Sequence, residues 1–141
     1  MKKSRIKDSK VLGLNIDLIK ALFKNSKKPY KHIRLHKYTL TELEKLVVDE
    51  ILKTTDFKFN QVTINHNNLL QRHNHKNVGA SKIMLLGDFE GGSLCVETSE
   101  KKVMKISETN KWFDFIGGHD HWVESFKGER ISIVLYNRNK R

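Results

Sequence analysis

The chain has 141 residues, 27 Lys and Arg against 16 Asp and Glu, a formal net charge of +11 and one cysteine. That length suits one domain with its own core, while a lone Cys95 excludes an internal disulfide and a Cys-based zinc cluster and points to an intracellular, reducing compartment. No apolar run approaches the roughly 20 residues of a membrane span, so a soluble protein without a membrane partner is expected.

In chain order, Leu12, Leu14, Ile16, Leu18, Ile19, Leu22 and Phe23 recur mostly at steps of three and four and predict an amphipathic helix over 11–23. The run Lys27-Lys28-Pro29-Tyr30-Lys31-His32-Ile33-Arg34 is expected as a connector. Its cations, interleaved with an aromatic ring, suit phosphate pairing and stacking, and equally suit a solvated face that keeps the protein soluble. Thr41 stands three residues before Glu44 as a capping box, and Leu43, Leu46, Val47, Ile51 and Leu52 form one stripe of a second helix ending near Thr54. After residue 56 the period changes to two. Strands are expected at 61–65, 82–86, 93–97, 102–106, 112–116, 121–125 and 130–136, separated by Gly, Asn, Asp and Ser clusters. Seven short strands behind two helices predict an α+β domain over 1–141. Its basic helical part is 1–56, and its β core, a sandwich or jelly roll with the helices on one face, is 57–141. Charge follows the same division: residues 1–60 carry 15 Lys and Arg against 7 Asp and Glu, and the remainder 12 against 9.

Four of the seven histidines fall in two pairs, His73-Asn74-His75 and His119-Asp120-His121. On an extended segment residues i and i+2 face one side, so His73 and His75 can offer both imidazoles to one metal, with a histidine of the second pair completing a facial set. Further on, Arg130 and Ser132 share one face of an apolar strand. A buried guanidinium with a neighbouring hydroxyl can hold a carboxylate through paired charge-assisted hydrogen bonds, which a lysine does not reproduce. Cys95 reads as a small core residue, and Trp112 and Trp122 as core or cavity wall.

Several stretches together resemble the iron(II)- and 2-oxoglutarate-dependent dioxygenases. They are Asn65-His66-Asn67, His73-Asn74-His75 running on to Gly79-Ala80-Ser81, the turn Gly87-Asp88-Phe89-Glu90-Gly91-Gly92, Lys111-Trp112-Phe113-Asp114-Phe115, and His121 followed nine residues later by Arg130-Ile131-Ser132. The resemblance covers about 61–136 and implies a double-stranded β-helix, or cupin-like jelly roll, carrying Fe(II) and 2-oxoglutarate. It makes His73 the first metal ligand and His121 the distal one. Arg130 with Ser132 would hold the far carboxylate of 2-oxoglutarate, and Asn65, Asn67 and Asn77 would line the same cavity. The sequence departs from the usual His-x-Asp motif in placing His75 where the aspartate stands, so the metal set becomes His73, His75 and His121. Asp88, Glu90 and Asp120 are the carboxylates that could replace the missing one. The implied reaction consumes 2-oxoglutarate and O2 and hydroxylates a C–H bond. The glycine-rich turn also resembles the Tet/JBP-like branch, which with the basic N-terminal part points to a nucleic-acid base or nucleotide, acted on at a 5-methyl group. Three alternatives stand beside it: a prolyl-type protein hydroxylase, a catalytically silent β-helix that binds nucleic acid, and a three-histidine zinc hydrolase.

Overall fold

The computed structural model describes residues 14–35, 39–75 and 77–139, so the start of the first expected helix, at 11–13, lies outside the described residues. Helix α1 spans Ile16–Ala21. It begins at Ile16 because Asn15 is its N-cap, the Asn15 side chain accepting from the Leu18 N–H at 3.1 Å. Helix α2 spans Glu42–Leu52 behind the expected capping box, with Thr41 Oγ1 accepting from the Glu44 N–H at 3.1 Å and Glu44 accepting from the Thr41 N–H at 2.9 Å.

Eight strands follow among the described residues: β1 (Tyr30–Arg34), β2 (Gln61–His66), β3 (Ser81–Gly91), β4 (Leu94–Glu97), β5 (Val103–Ile106), β6 (Phe113–Phe115), β7 (His121–Val123) and β8 (Phe126–Tyr136). They form two antiparallel sheets, one in the order β1-β2-β8-β3-β6 and the other β5-β4-β7. Seven match expected strands. The eighth, β1, corrects the reading of 27–34 as a connector: residues 30–34 pair with β2 as an edge strand, Ile33 opposite Val62 and Lys31 opposite Ile64. Its single fully buried apolar residue, Ile33, is flanked by cations, which hides the alternation in the sequence.

Alternation along the larger sheet creates two separate cores. One face sends Ile33, Val62, Ile64, Met84, Leu86, Ile131, Ile133 and Leu135 against Ile19 of α1 and Val47, Val48 and Ile51 of α2. The other face sends Ile83 and Leu85 towards Leu94, Val96 and Val123 of the smaller sheet. Lys31 leans to the helical side, where its Nζ lies 3.5 Å from Glu44. Cys95 is buried, and Trp112 packs on the helical core with its indole N–H donating to Thr54 at 3.0 Å. Among the described residues no helix is long and apolar enough to cross a membrane.

Candidate active site

Between the two sheets lies a cavity of about 690 Å³, and the inward rows of β1, β2 and β8 form one of its walls. Register sets those rows: Tyr30, Asn65 and Ser132 stand side by side, as do His32, Thr63 and Val134. On the opposite wall His73, in the connection from β2 to β3, forms a reciprocal backbone bridge with His121 of β7. The His73 N–H donates to the His121 carbonyl at 3.0 Å and the His121 N–H to the His73 carbonyl at 2.8 Å. His75 is pinned two residues on by its N–H to the Gly117 carbonyl at 2.8 Å.

This scaffold brings His73, His75 and His121 together, their nearest ligand atoms all within 4.8 Å of one another. Ring centroids are 4.2 Å apart for His73 and His121, 4.8 Å for His73 and His75, and 5.3 Å for His75 and His121. Two of the rings are held in one tautomer. His73 Nδ1 meets the Gln71 carbonyl at 2.5 Å and His121 Nδ1 the His119 carbonyl at 2.8 Å. A carbonyl only accepts, so each Nδ1 carries the proton and each Nε2 keeps its lone pair for a metal. Burial pushes the His121 pKa down to about 4, against the raising effect of the His119 carbonyl, and His73 and His75 lower it further. Burial, then the neighbouring His73, lowers that of His75 as well. Neutral imidazoles clustered in this way are a nitrogen donor set for Fe, Zn, Cu or Ni.

No carboxylate completes the set. Among the described residues the three histidines are the one cluster able to hold a metal ion, and no Asp or Glu lines the cavity. Asp88 and Glu90 are exposed on β3, opposite Glu129 and Lys127 of β8. Asp120 is engaged elsewhere, accepting from Asn74 Nδ2 at 2.8 Å and from Arg72 Nε at 3.0 Å.

Arg130 is 1% exposed and reaches the cavity between the rings of Phe89 and Phe126, its guanidinium carbon 5.8 and 5.9 Å from their centroids. Its Nε donates to the Gly92 carbonyl at 2.7 Å, whereas Nη2 is buried with no hydrogen-bond partner among the described residues. Burial lowers its pKa to about 10, which leaves it charged at neutral pH. A buried, unpaired guanidinium nitrogen is costly unless an anion meets it. Ser132 lies beside it on β8, its Oγ accepting from Asn65 Nδ2 at 3.2 Å, while Asn65 Oδ1 accepts from Asn68 at 2.9 Å. Asn77 also lines the cavity and donates to Ser81 Oγ at 3.4 Å. Asn67 departs from expectation. It is absent from the lining and takes a backbone role at φ 53°, its Oδ1 accepting from the Arg130 N–H at 2.8 Å. Its short side chain tolerates that left-handed conformation and satisfies an amide of the neighbouring strand.

Tyr30 and His32 of the basic run line the cavity, as do Thr63, Tyr136 and Arg138, the last from a C-terminal stretch that reads in sequence as a frayed tail. For Tyr30 and His32 the signal is period two within a basic run, legible only once β1 is recognised as a strand.

Neither a protein-family model nor a curated protein matches the chain in sequence. Solved structures do match in shape. NgTET1 in complex with 5mC DNA superposes with a TM-score of 0.63 at 13% identity, covering 87% of this chain and 66% of that one. A prolyl-4-hydroxylase from Pseudomonas putida gives 0.61 at 13% identity over 92% and 86% of the two chains. A 2OG-Fe(II) oxygenase family protein from Burkholderia pseudomallei gives 0.56 at 15% over 85% and 76%. The chain therefore has a 2-oxoglutarate-dependent dioxygenase-like fold, and it spans about two thirds of the NgTET1 chain it resembles.

Proposed function

We propose that this chain is an Fe(II)- and 2-oxoglutarate-dependent dioxygenase on a double-stranded β-helix. His73, His75 and His121 hold the metal, and Arg130 with Ser132 holds the far carboxylate of 2-oxoglutarate. The observation that carries the reading is the Arg130 Nη2, buried without a partner in the cavity that also gathers the three imidazoles. A zinc hydrolase would give that guanidinium no task, whereas a dicarboxylate reaching from metal to arginine satisfies both ends. Iron(II), when bound, supplies the oxidative decarboxylation of 2-oxoglutarate to succinate and carbon dioxide and the transfer of oxygen into a C–H bond.

The chain's own groups do the rest. Leu94, Val123, Ile83 and Phe115 make the apolar floor that keeps the reacting centre dry. The carbonyls of Gln71 and His119 keep His73 and His121 in the ligating tautomer. Three neutral ligands leave the metal's full +2 charge uncompensated, which strengthens the pull on the dianionic cosubstrate.

A nucleic-acid base or nucleotide, oxidised at a 5-methyl group, is the substrate class we favour. Its support is the net charge of +11 and the shallow basic hollow where Lys20, Lys24, Lys27 and Lys28 surround Phe23 and His66. The likeness to a DNA-bound oxygenase structure agrees with it, and that to a prolyl-4-hydroxylase keeps a protein side chain as the second reading.

The test is an anaerobic Fe(II) titration of the purified chain, with and without 2-oxoglutarate, watching the visible charge-transfer absorption of the chelate. The band should appear with both present and vanish in His73→Ala and Arg130→Ala. A folded wild-type chain with no band would remove the oxygenase reading and leave a binding module or a zinc site.

A further inference from the structure

Among the described residues three arginines and no carboxylate line the cavity, and the arginines differ in how they are satisfied. Arg72 is paired with both Glu97 and Asp120. Arg130 is buried at the inner end and belongs to the cosubstrate reading above. Arg138 has no ion-pair partner among the described residues, yet its backbone is fixed from both directions. Its N–H donates to Asn60 Oδ1 at 3.1 Å, and Asn60 Nδ2 donates to its carbonyl at 3.0 Å. It lies two residues beyond Tyr136, the last residue of β8, and lines the cavity together with Tyr30, His32 and Tyr136. Arg138 is exposed, so its place in the lining is on the solvent side, in contrast to the buried Arg130. Lys28 stands nearby, its Nζ 5.6 Å from the Tyr30 ring centroid, and is likewise in no ion pair among the described residues. Two phenol rings line the cavity with Arg138, Tyr30 and Tyr136, the latter with its hydroxyl held 2.9 Å from Thr63 Oγ1.

We propose that Arg138 anchors an anionic group, a phosphate ester or a carboxylate, on the molecule that enters this cavity, with Tyr30 and Tyr136 receiving that molecule's flat portion. A guanidinium fork suits either oxyanion, and among the described residues no carboxylate lines the cavity to compete for it. Tyrosine rings offer apolar faces to a planar group at small entropic cost. The inference deepens the substrate assignment above and rests on it only for what happens to the molecule once bound.

The experiment is calorimetric titration of the metal-free full chain at moderate salt with thymidine 5′-monophosphate, thymidine and 4-hydroxyphenylacetate. At least one anion should bind about tenfold or more tightly than thymidine, as expected for a charge-assisted pair. Arg138→Ala should remove that advantage, Arg138→Lys should restore only part of it, and Lys127→Ala, on β8 outside the cavity, should leave it unchanged. A preference for the monophosphate identifies a phosphate as the source of the anion, and a preference for the phenylacetate a carboxylate. Addition of 2-oxoglutarate should not displace the probe, which separates Arg138 from Arg130. Equal binding of thymidine and both anions, equal binding by wild type and Arg138→Ala, displacement by 2-oxoglutarate, or no anion binding at millimolar concentration would each overturn the proposal. An absent iron chelate band alongside Arg138-dependent anion binding would instead remove the oxygenase reading and retain the anion anchor.

Discussion

Asp120 stands one residue before a histidine of the cluster but faces Asn74 and Arg72, and Asn74 itself stands between His73 and His75. The carboxylate thus ties the two histidine segments together from outside, adding to the backbone bridge between His73 and His121. Asp120→Ala should weaken metal binding by roughly ten- to a hundredfold, the usual cost of losing an outer partner of the ligands. A competitive chelator titration reads this, and an unchanged affinity in a folded variant would refute the tie. Gly92 presents a different dependence. At φ +70°, a Cβ there would come within 3.0 Å of Arg130 Cδ and 3.1 Å of its Nε, and the Gly92 carbonyl is the acceptor for that Nε. Gly92→Ala should therefore weaken 2-oxoglutarate binding about tenfold or more while metal affinity stays as it was, since the imidazoles do not touch this turn. Calorimetry of each ligand separately checks the split.

Strand β1 shows what the sequence withheld at the scale of elements. The strands β2 to β8 were legible because alternating apolar residues and glycine-rich punctuation marked each one, and the same alternation placed Arg130 and Ser132 on one inward face. The histidines were legible for a similar reason, their i, i+2 spacing being that of one side of an extended chain. In β1, by contrast, the inward positions carry Tyr30 and His32 and the outward ones Lys31 and Ile33, so one apolar residue bears the whole burial signal. The inward placing of Tyr30 and His32 was hidden with it. Ile33→Ala should cost about 2 to 4 kcal/mol in denaturant unfolding, the range for truncating a fully buried isoleucine, and should also impair anion binding because Tyr30 and His32 ride on the same strand. Stability loss with unaltered anion binding would separate the strand from the site. Near the start of β1 the sheet is fastened to α1 by Glu129 of β8, which accepts from His66 at 2.9 Å and from Lys20 at 3.3 Å. His66 first, then Lys20, holds the Glu129 carboxyl below its ordinary value. A lowered carboxyl stabilises the fold above the ordinary carboxylate range, and that contribution disappears as pH falls through the lowered value. Glu129→Gln should cost no more than about 1 kcal/mol at pH 7, because the pair is partly exposed, and less at pH 2. Unfolding curves at the two pH values test it.

At the scale of the whole molecule, the proposed metal site joins separate parts of the architecture. His121 belongs to the smaller sheet, whereas His73 and His75 lie on the chain joining two strands of the larger one. An ion bound by all three would fasten that connection to β7 on one wall of the cavity. Binding that requires the folded arrangement stabilises it by mass action, by about 2.7 kcal/mol when free metal stands at a hundred times its dissociation constant. Thermal unfolding of the wild-type chain should rise accordingly with added Fe(II) under nitrogen or with Zn(II), and His73→Ala should abolish the rise. Location provides the sharper check. Hydrogen exchange should slow on metal addition at the His73, His75 and His121 amides, which tie the connection to β7 and to Gly117, and leave the α2 amides unchanged, since that helix packs on the far side of the larger sheet. Protection spread evenly over α2 and both walls would mean that metal stabilises only the global fold, whereas protection confined to the histidine segments would show that the chain reserves this closure for a bound ion.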